Sequence, residues 1–229
     1  MNNTSQINRV LRQLRHFAEL PEEIQQTIAA SAVHRHFDAG QVIYVEGEPA
    51  DFVYILESGW VKATRMTREG REQAMMFLRP VEVFGDIAVL TGTTYPGTVV
   101  ALEDVDVWVI SAQTILDLIP RHPEFAMAVI RHLGERVLHY IRLVEDLSLR
   151  SVESRLANTL LRYAELHDGQ LIVPRREWTT FDEMAVRLGT VRDVLSRALK
   201  TLEAEKLLRV EKQAIVLLDP KGLEERGRV

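Results

Sequence analysis

TFDEMAVRLGTVRDVLSRALKTLEAEKLL, running from Thr180 to Leu208, decides the reading of this chain. It reads as two short helices joined at a glycine. Thr180 with Glu183 fits a capping box, in which each side chain satisfies an orphan backbone donor. Met184, Ala185 and Leu188 follow at helical spacing, and Gly189 can take the left-handed conformation that ends a helix. Thr190 is expected to cap the second helix, with Asp193 three residues on. Val194, Leu195, Ala198, Leu199 and Leu202 supply that helix with an apolar side. Arg192, Asp193, Ser196 and Arg197 form one stripe near its amino end, the stripe that in a helix-turn-helix reaches base edges. Arginine can bond bidentately to guanine O6 and N7, a carboxylate can accept from cytosine N4, and serine can serve either way.

The residues that follow support the same reading. Leu207 to Val210, then Lys212-Gln213, then Ala214 to Leu218 read as a tight β-hairpin ended by Asp219-Pro220. Two helices and a hairpin make a winged helix-turn-helix, with Lys212 offered to phosphate at the hairpin tip.

The chain has 229 residues, 46% apolar and 27% charged, which suits a folded protein of more than one domain. No apolar run approaches the ~20 residues of a membrane span. The opening MNNTSQINRVLRQLRHF has no apolar signal core, so a cytoplasmic protein is expected. There is no cysteine, which excludes disulfides, thiolate chemistry and cysteine-held iron–sulfur clusters. No nucleophile–base constellation, metal-ligand spacing or phosphate-binding glycine loop is present, so an enzyme is not expected. The net charge of −5 divides unevenly. Residues 1–150 hold 14 Lys/Arg against 20 Asp/Glu, while residues 151–229 hold 14 against 13. The carboxy-terminal part is the one less repelled by phosphate.

From about Phe37 to Leu118 the chain is strand-like. Its runs are Val42–Tyr44, Phe52–Leu56, Trp60–Ala63, Ala74–Leu78, Val99–Leu102 and Val107–Ile110, with glycines at 40, 47, 59, 70, 85 and 92 between or beside them. Such spacing predicts a roll or sandwich, with a helix over roughly residues 6–30 packed outside it. Residues 123–149 predict one long helix. Ile130, Leu133, Val137, Tyr140, Val144 and Leu147 recur at 3, 4, 3, 4, 3, a heptad seam suited to a second copy of the same helix. Met127, Leu138 and Ile141 form a second stripe with room to pack on the roll. Arg131–Glu135 and Arg142–Asp146 are expected as i,i+4 pairs. A further helix is expected from Glu153 to Leu166, set off by the polar stretch Glu165 to Trp178 around Pro174. The fold class is therefore α+β. An amino-terminal double-stranded, jelly-roll-like β-roll (1–122) leads to a long dimerisation helix (123–149) and a winged helix-turn-helix (150–229).

This order of parts resembles the Crp/Fnr family of bacterial transcription regulators over nearly the whole chain. Val191 to Glu203 is similar to that family's recognition helix. The resemblance implies base-reading positions at Arg192, Asp193, Ser196 and Arg197. Thr180, Thr190, Val191, Lys200 and Lys212 complete the expected DNA contacts. It also implies a homodimer on palindromic double-stranded DNA, an activator working with RNA polymerase or a repressor by occupancy, and a small effector in the roll. Phe84-Gly-Asp-Ile-Ala88 resembles the family's Phe-Gly-Glu-Leu-Ala, which marks Gly85, Asp86, Ala88, Tyr95 and Thr98 as effector-pocket positions. The phosphate cassette departs from the family. Where cyclic-nucleotide members carry Pro-Arg-Ser/Thr-Ala, this chain has Thr94-Tyr-Pro-Gly97. Tyr95 replaces the arginine that would neutralise the phosphate, and Pro96 lacks an amide donor. Cyclic AMP is not expected, and the iron–sulfur type of sensor is excluded. Haem stays open through His34 and His36 on one strand side or His132 and His139 on one helix face. Another anion, an apolar metabolite or no ligand stays open as well.

Overall fold

The computed structural model describes residues 3–66, 72–174 and 180–228. For Asn3, Glu72, Gln73, His139, Arg142, Leu143, Asp146 and Leu147 it describes the backbone alone. The chain divides into two compact units, 1–137 and 138–229.

In the first unit, helices α1 (Asn3–Leu11) and α2 (Glu22–Ser31) precede strands β1 (Val33–Phe37), β2 (Val42–Tyr44), β3 (Phe52–Ser58), β4 (Val61–Met66), β5 (Glu72–Leu78) and β6 (Glu82–Phe84). Helix α3 (Asp86–Thr91), strands β7 (Thr98–Ala101) and β8 (Val105–Ser111) and helix α4 (Ala112–Arg121) follow, and helix α5 (Pro123–Leu149) begins in this unit and ends in the second. The strands form two four-stranded antiparallel sheets, ordered β1-β8-β3-β6 and β2-β7-β4-β5. Alternation along a strand assigns each side chain to a face. On β3, Tyr54 and Leu56 enter the core between the sheets, while Val53 and Ile55 join a second core under the helices. On β8, Val105, Val107 and Val109 take the first side and Trp108 and Ile110 the second. Strands buried on both faces read as continuous apolar runs, as these two do. The second core is closed by Ile7 and Leu11 of α1, Ile24 and Ile28 of α2, Ile115 and Leu118 of α4, and Phe125 and Ala128 of α5. The Trp108 indole N–H is satisfied there by Glu57 Oε2 at 2.7 Å.

The second unit follows α5 with α6 (Val152–Arg162), β9 (Glu165–His167), β10 (Gln170–Pro174), α7 (Phe181–Arg187), α8 (Arg192–Ala204), β11 (Leu208–Val210), β12 (Ala214–Leu217) and α9 (Pro220–Gly227). Its sheet runs β11-β12-β10-β9. Leu156, Leu160, Leu195, Leu202, Leu208, Ile215 and Leu223 are fully buried and hold three helices against it.

Several sequence expectations are corrected. The helix over residues 6–30 is two helices: α1 ends at Leu11, turns follow, and α2 starts after Pro21, which stands at its N-cap position where no amide donor is needed. The strand-like segment ends in helix α4, which Ser111 caps by accepting from Thr114 N at 3.1 Å. The helix expected to reach Leu166 stops at Arg162. Beyond it β9 and β10 form a hairpin whose turn residues, Asp168 and Gly169, have φ of 48° and 78°. Asp219-Pro220 does more than end the wing: Asp219 accepts from Gly222 N at 3.0 Å and starts α9. Glu135 does not turn to Arg131 but to Arg15 and His16, each 2.8 Å away. Met127, expected to pack on the roll, is 46% exposed, since Phe125 and Ala128 already supply the packed side of α5 there; Leu138 and Ile141, of the same expected stripe, are 53% and 56% exposed. The pair Arg142–Asp146, Gly70 and residues 175–178 of the polar stretch lie outside the described side chains or residues.

Candidate nucleic-acid interface

Thr180 caps α7, its hydroxyl accepting from Glu183 N at 3.2 Å. Glu183 itself is fully buried and sits 2.6 Å from Arg187 Nη2, so the first turn of α7 is held both at its cap and by an internal ion pair. The helix ends at Gly189, whose φ is +61°. That value suits the residue without a Cβ. Thr190 does not cap α8 as expected. Its N–H bonds back to Ala185 O at 2.9 Å, completing the end of α7, and Val191 is the N-cap residue of α8 with no side-chain cap bond.

Helix α8 has two chemically distinct sides. Leu195, Ala198, Leu199 and Leu202 are buried against the unit's core. Arg192, Asp193, Arg197 and Lys200 are exposed, Ser196 is half-buried, and Val191 is 62% exposed at the amino end. The structure thus brings the four expected base-reading side chains onto one accessible stripe. Thr180 is exposed and Thr190 half-buried. Lys212 is exposed at the tip between β11 and β12, where Glu211 N bonds Ala214 O at 2.9 Å. Sequence reading missed one neighbour. Asp182, on the first turn of α7, accepts from Arg192 Nη1 at 3.1 Å. No periodicity links residues ten apart on two helices, so only the fold reveals the pair.

The expected effector positions are also close together, but they are occupied by the protein's own groups. Gly85 caps α3 with φ of +79°, and an added Cβ there would lie 3.1 Å from Phe52 O. Ala88 is buried beneath it. Asp86 accepts two bonds from Arg136 Nη1 of α5, at 2.9 and 3.0 Å. Tyr95 is 3% exposed and stacks on Tyr44 with centroids 3.9 Å apart. Its hydroxyl donates to Phe52 O at 2.7 Å and accepts from Phe52 N at 3.2 Å. Burial pushes the phenols of Tyr44, Tyr54 and Tyr95 above their usual range, so they remain neutral. Thr98 Oγ1 accepts from Glu46 N at 3.0 Å.

Of the histidines considered for haem, His34, His36 and His132 contact protein groups, although the buried Nε2 of His34 and of His132 accepts or donates no hydrogen bond among the described residues. His34 packs edge-on against Trp108, and His36 Nδ1 lies 3.1 Å from Asp106 Oδ1, which raises the His36 pKa. His132 lies against Phe17 beside a cavity of about 40 Å³, room for one or two water-sized guests. Burial lowers its pKa, against the opposing pull of Asp86. The His139 side chain is outside the described ones. Among the described residues, His36, Asp38 and Asp104 alone cluster ligand atoms within 4.8 Å, and all three are exposed.

On α5, Ile130, Val137, Tyr140 and Val144 are 58%, 55%, 38% and 59% exposed, and Leu133 is half-buried. Leu147, the last residue expected in this seam, has no described side chain. No helix among the described residues is long and apolar enough to cross a membrane.

Residues 34–122 match the model of the cyclic nucleotide-binding domain, and residues 154–226 match that of the Crp-like helix-turn-helix domain. The chain is 27% identical to the global nitrogen regulator of Synechococcus elongatus over 91% of each protein. It is 25% identical to the CRP-like cAMP-activated global transcriptional regulator of Mycobacterium tuberculosis, over 84% of this chain and 87% of the relative. The solved structure of a CRP/FNR-family transcriptional regulator from Thermus thermophilus is 26% identical with a TM-score of 0.64, covering 86% of this chain and 99% of that one. With these two domain matches covering most of its length, the chain belongs to the Crp/Fnr family of DNA-binding transcription regulators, whose members are not enzymes.

Proposed function

We propose that this regulator acts in the cytoplasm as a homodimer on a palindromic DNA site, with α8 of each copy in the major groove. The observation that carries this reading is the two-sided character of α8. Its apolar side is consumed by the core, which leaves the charged stripe at its amino end facing outward. In this arrangement Arg192 and Arg197 read guanines, Asp193 accepts from cytosine N4 and Ser196 bonds a neighbouring base. Thr180, Thr190, Val191, Lys200 and Lys212 flank the stripe and position it on the backbone. A dimer follows from the exposed apolar residues of α5. Four of them share one stripe, and contiguous apolar surface on a helix marks a partner site. Twofold pairing would set the two reading helices about 34 Å apart, one turn of DNA. RNA polymerase is the partner such a dimer would recruit, and occupancy alone would repress.

Selection of bound sequences from random DNA, followed by titration of Arg197→Ala, tests the reading. The variant should lose about 1–3 kcal/mol on the selected site and relax specificity at one base pair. An equal loss on random DNA would contradict base reading.

The roll is not proposed to take cyclic AMP. A bound cyclic phosphate needs a cation, and the sequence between α3 and β7 supplies none. Asp86, one of the expected effector-pocket positions, is already bonded twice by Arg136. An effector of another chemistry at Gly85, Asp86, Ala88, Tyr95 and Thr98 would have to displace the Tyr44–Tyr95 stack or the Asp86–Arg136 pair.

A further inference from the structure

We propose that Asp182 is a specificity-determining residue, which positions Arg192 for its base and lowers affinity for DNA of arbitrary sequence. This rests on α8 being the reading helix. Asp182 Oδ2 accepts from Arg192 Nη1 at 3.1 Å, and both side chains are well exposed, so the pair lies on the surface that would meet DNA. An exposed ion pair adds little to stability, and its value here is geometric. A free arginine has many rotamers, and holding one nitrogen of the guanidinium leaves its other N–H groups to face guanine as a fixed fork. Arg197 has no ion-pair partner among the described residues, so the two arginines of the stripe are not equivalent.

The same carboxylate has a second effect. The first helix of a helix-turn-helix crosses the DNA backbone, and Asp182 stands in the first turn of that helix. A negative charge there repels phosphate wherever the protein sits. On the wrong sequence the repulsion is uncompensated, whereas on the right one the positioned arginine offsets it. Asp182 would therefore raise discrimination by weakening the competing state as well as by strengthening the chosen one.

The test uses the full-length protein, the selected site, single-base variants of that site and random-sequence DNA. Arg192→Ala identifies the base pair that Arg192 reads: discrimination there should fall about tenfold, within the range of a lost bidentate contact. Asp182→Ala should lower discrimination at that same base pair about threefold or more, leave the Arg197 position unchanged and tighten binding to random DNA. Asp182→Asn keeps an acceptor at the same reach but loses the charge, so it should retain discrimination while still tightening random binding. If Arg192→Ala relaxes one position and Asp182→Ala leaves it as selective as before, the positioning role is wrong. Equal weakening of cognate and random binding by Asp182→Ala would also overturn it, since loss of helix stability acts that way. If Arg192→Ala itself relaxes no position, the reading-helix assignment fails instead.

Discussion

Single side chains decide how far this protein departs from its relatives. Tyr95 stands where the family resemblance leads one to expect an arginine, and its role is structural. It fills the space beside Tyr44 and ties both polar groups of the Phe52 backbone. Removing only its hydroxyl leaves those groups without that partner, at a cost of about 1–2 kcal/mol. Tyr95→Phe should accordingly lower the denaturant midpoint of the purified protein, and an unchanged midpoint would show that the bonds to Phe52 contribute nothing. Asp86 illustrates the same point for charge. The resemblance marked it as an effector-pocket position, yet its partner, Arg136, lies 50 residues away on another helix. Nothing in local sequence announces such a pair.

At the scale of elements, periodicity carried most of the information. The long helix was expected at residues 123–149 and spans Pro123–Leu149. Val42–Tyr44 was expected as a strand and is one, and Gly189 ends α7 as its position suggested. The failures have local causes of their own. Asp168-Gly169 is a turn signal that the polar stretch around it obscured; β9 has one apolar residue to betray it, while Leu171-Ile172-Val173 of β10 is a strand signal that the polar stretch concealed. Thr190 looked like a cap because threonine caps helices, but the turn closed by its amide on Ala185 O carries the N-cap position one residue further, to Val191. The seam on α5 is the element that invites a direct test. Val144 is 59% exposed in the single chain, so Val144→Asp should not disturb the subunit's own packing. It should yield monomers by sedimentation, because pairing would bury an uncompensated charge. A persistent dimer would place the interface elsewhere.

Across the whole molecule, the two family matches leave a contrast between architecture and ligand chemistry. Residues 34–122 share a cyclic nucleotide-binding fold, while the groups that would contact a nucleotide are absent or engaged. Affinity follows those groups rather than the sheet order that carries them. Cyclic AMP added at millimolar concentration should therefore leave both the heat of titration and the affinity for the selected DNA unchanged. Saturable binding with a shift in DNA affinity would require the Asp86–Arg136 pair to open.

The sequence by itself determined the order of secondary-structure elements, the helix α8 with its polar and apolar sides, and the exclusion of cysteine chemistry. These depend on residue type and on spacing within a turn or a strand, and both are local. Only the tertiary structure decided that the tyrosines close the roll, that Arg136 neutralises Asp86 and that Asp182 holds Arg192. Each of those contacts joins residues on different elements, and the distance between them in space is set by packing of the core rather than by any neighbour in the chain.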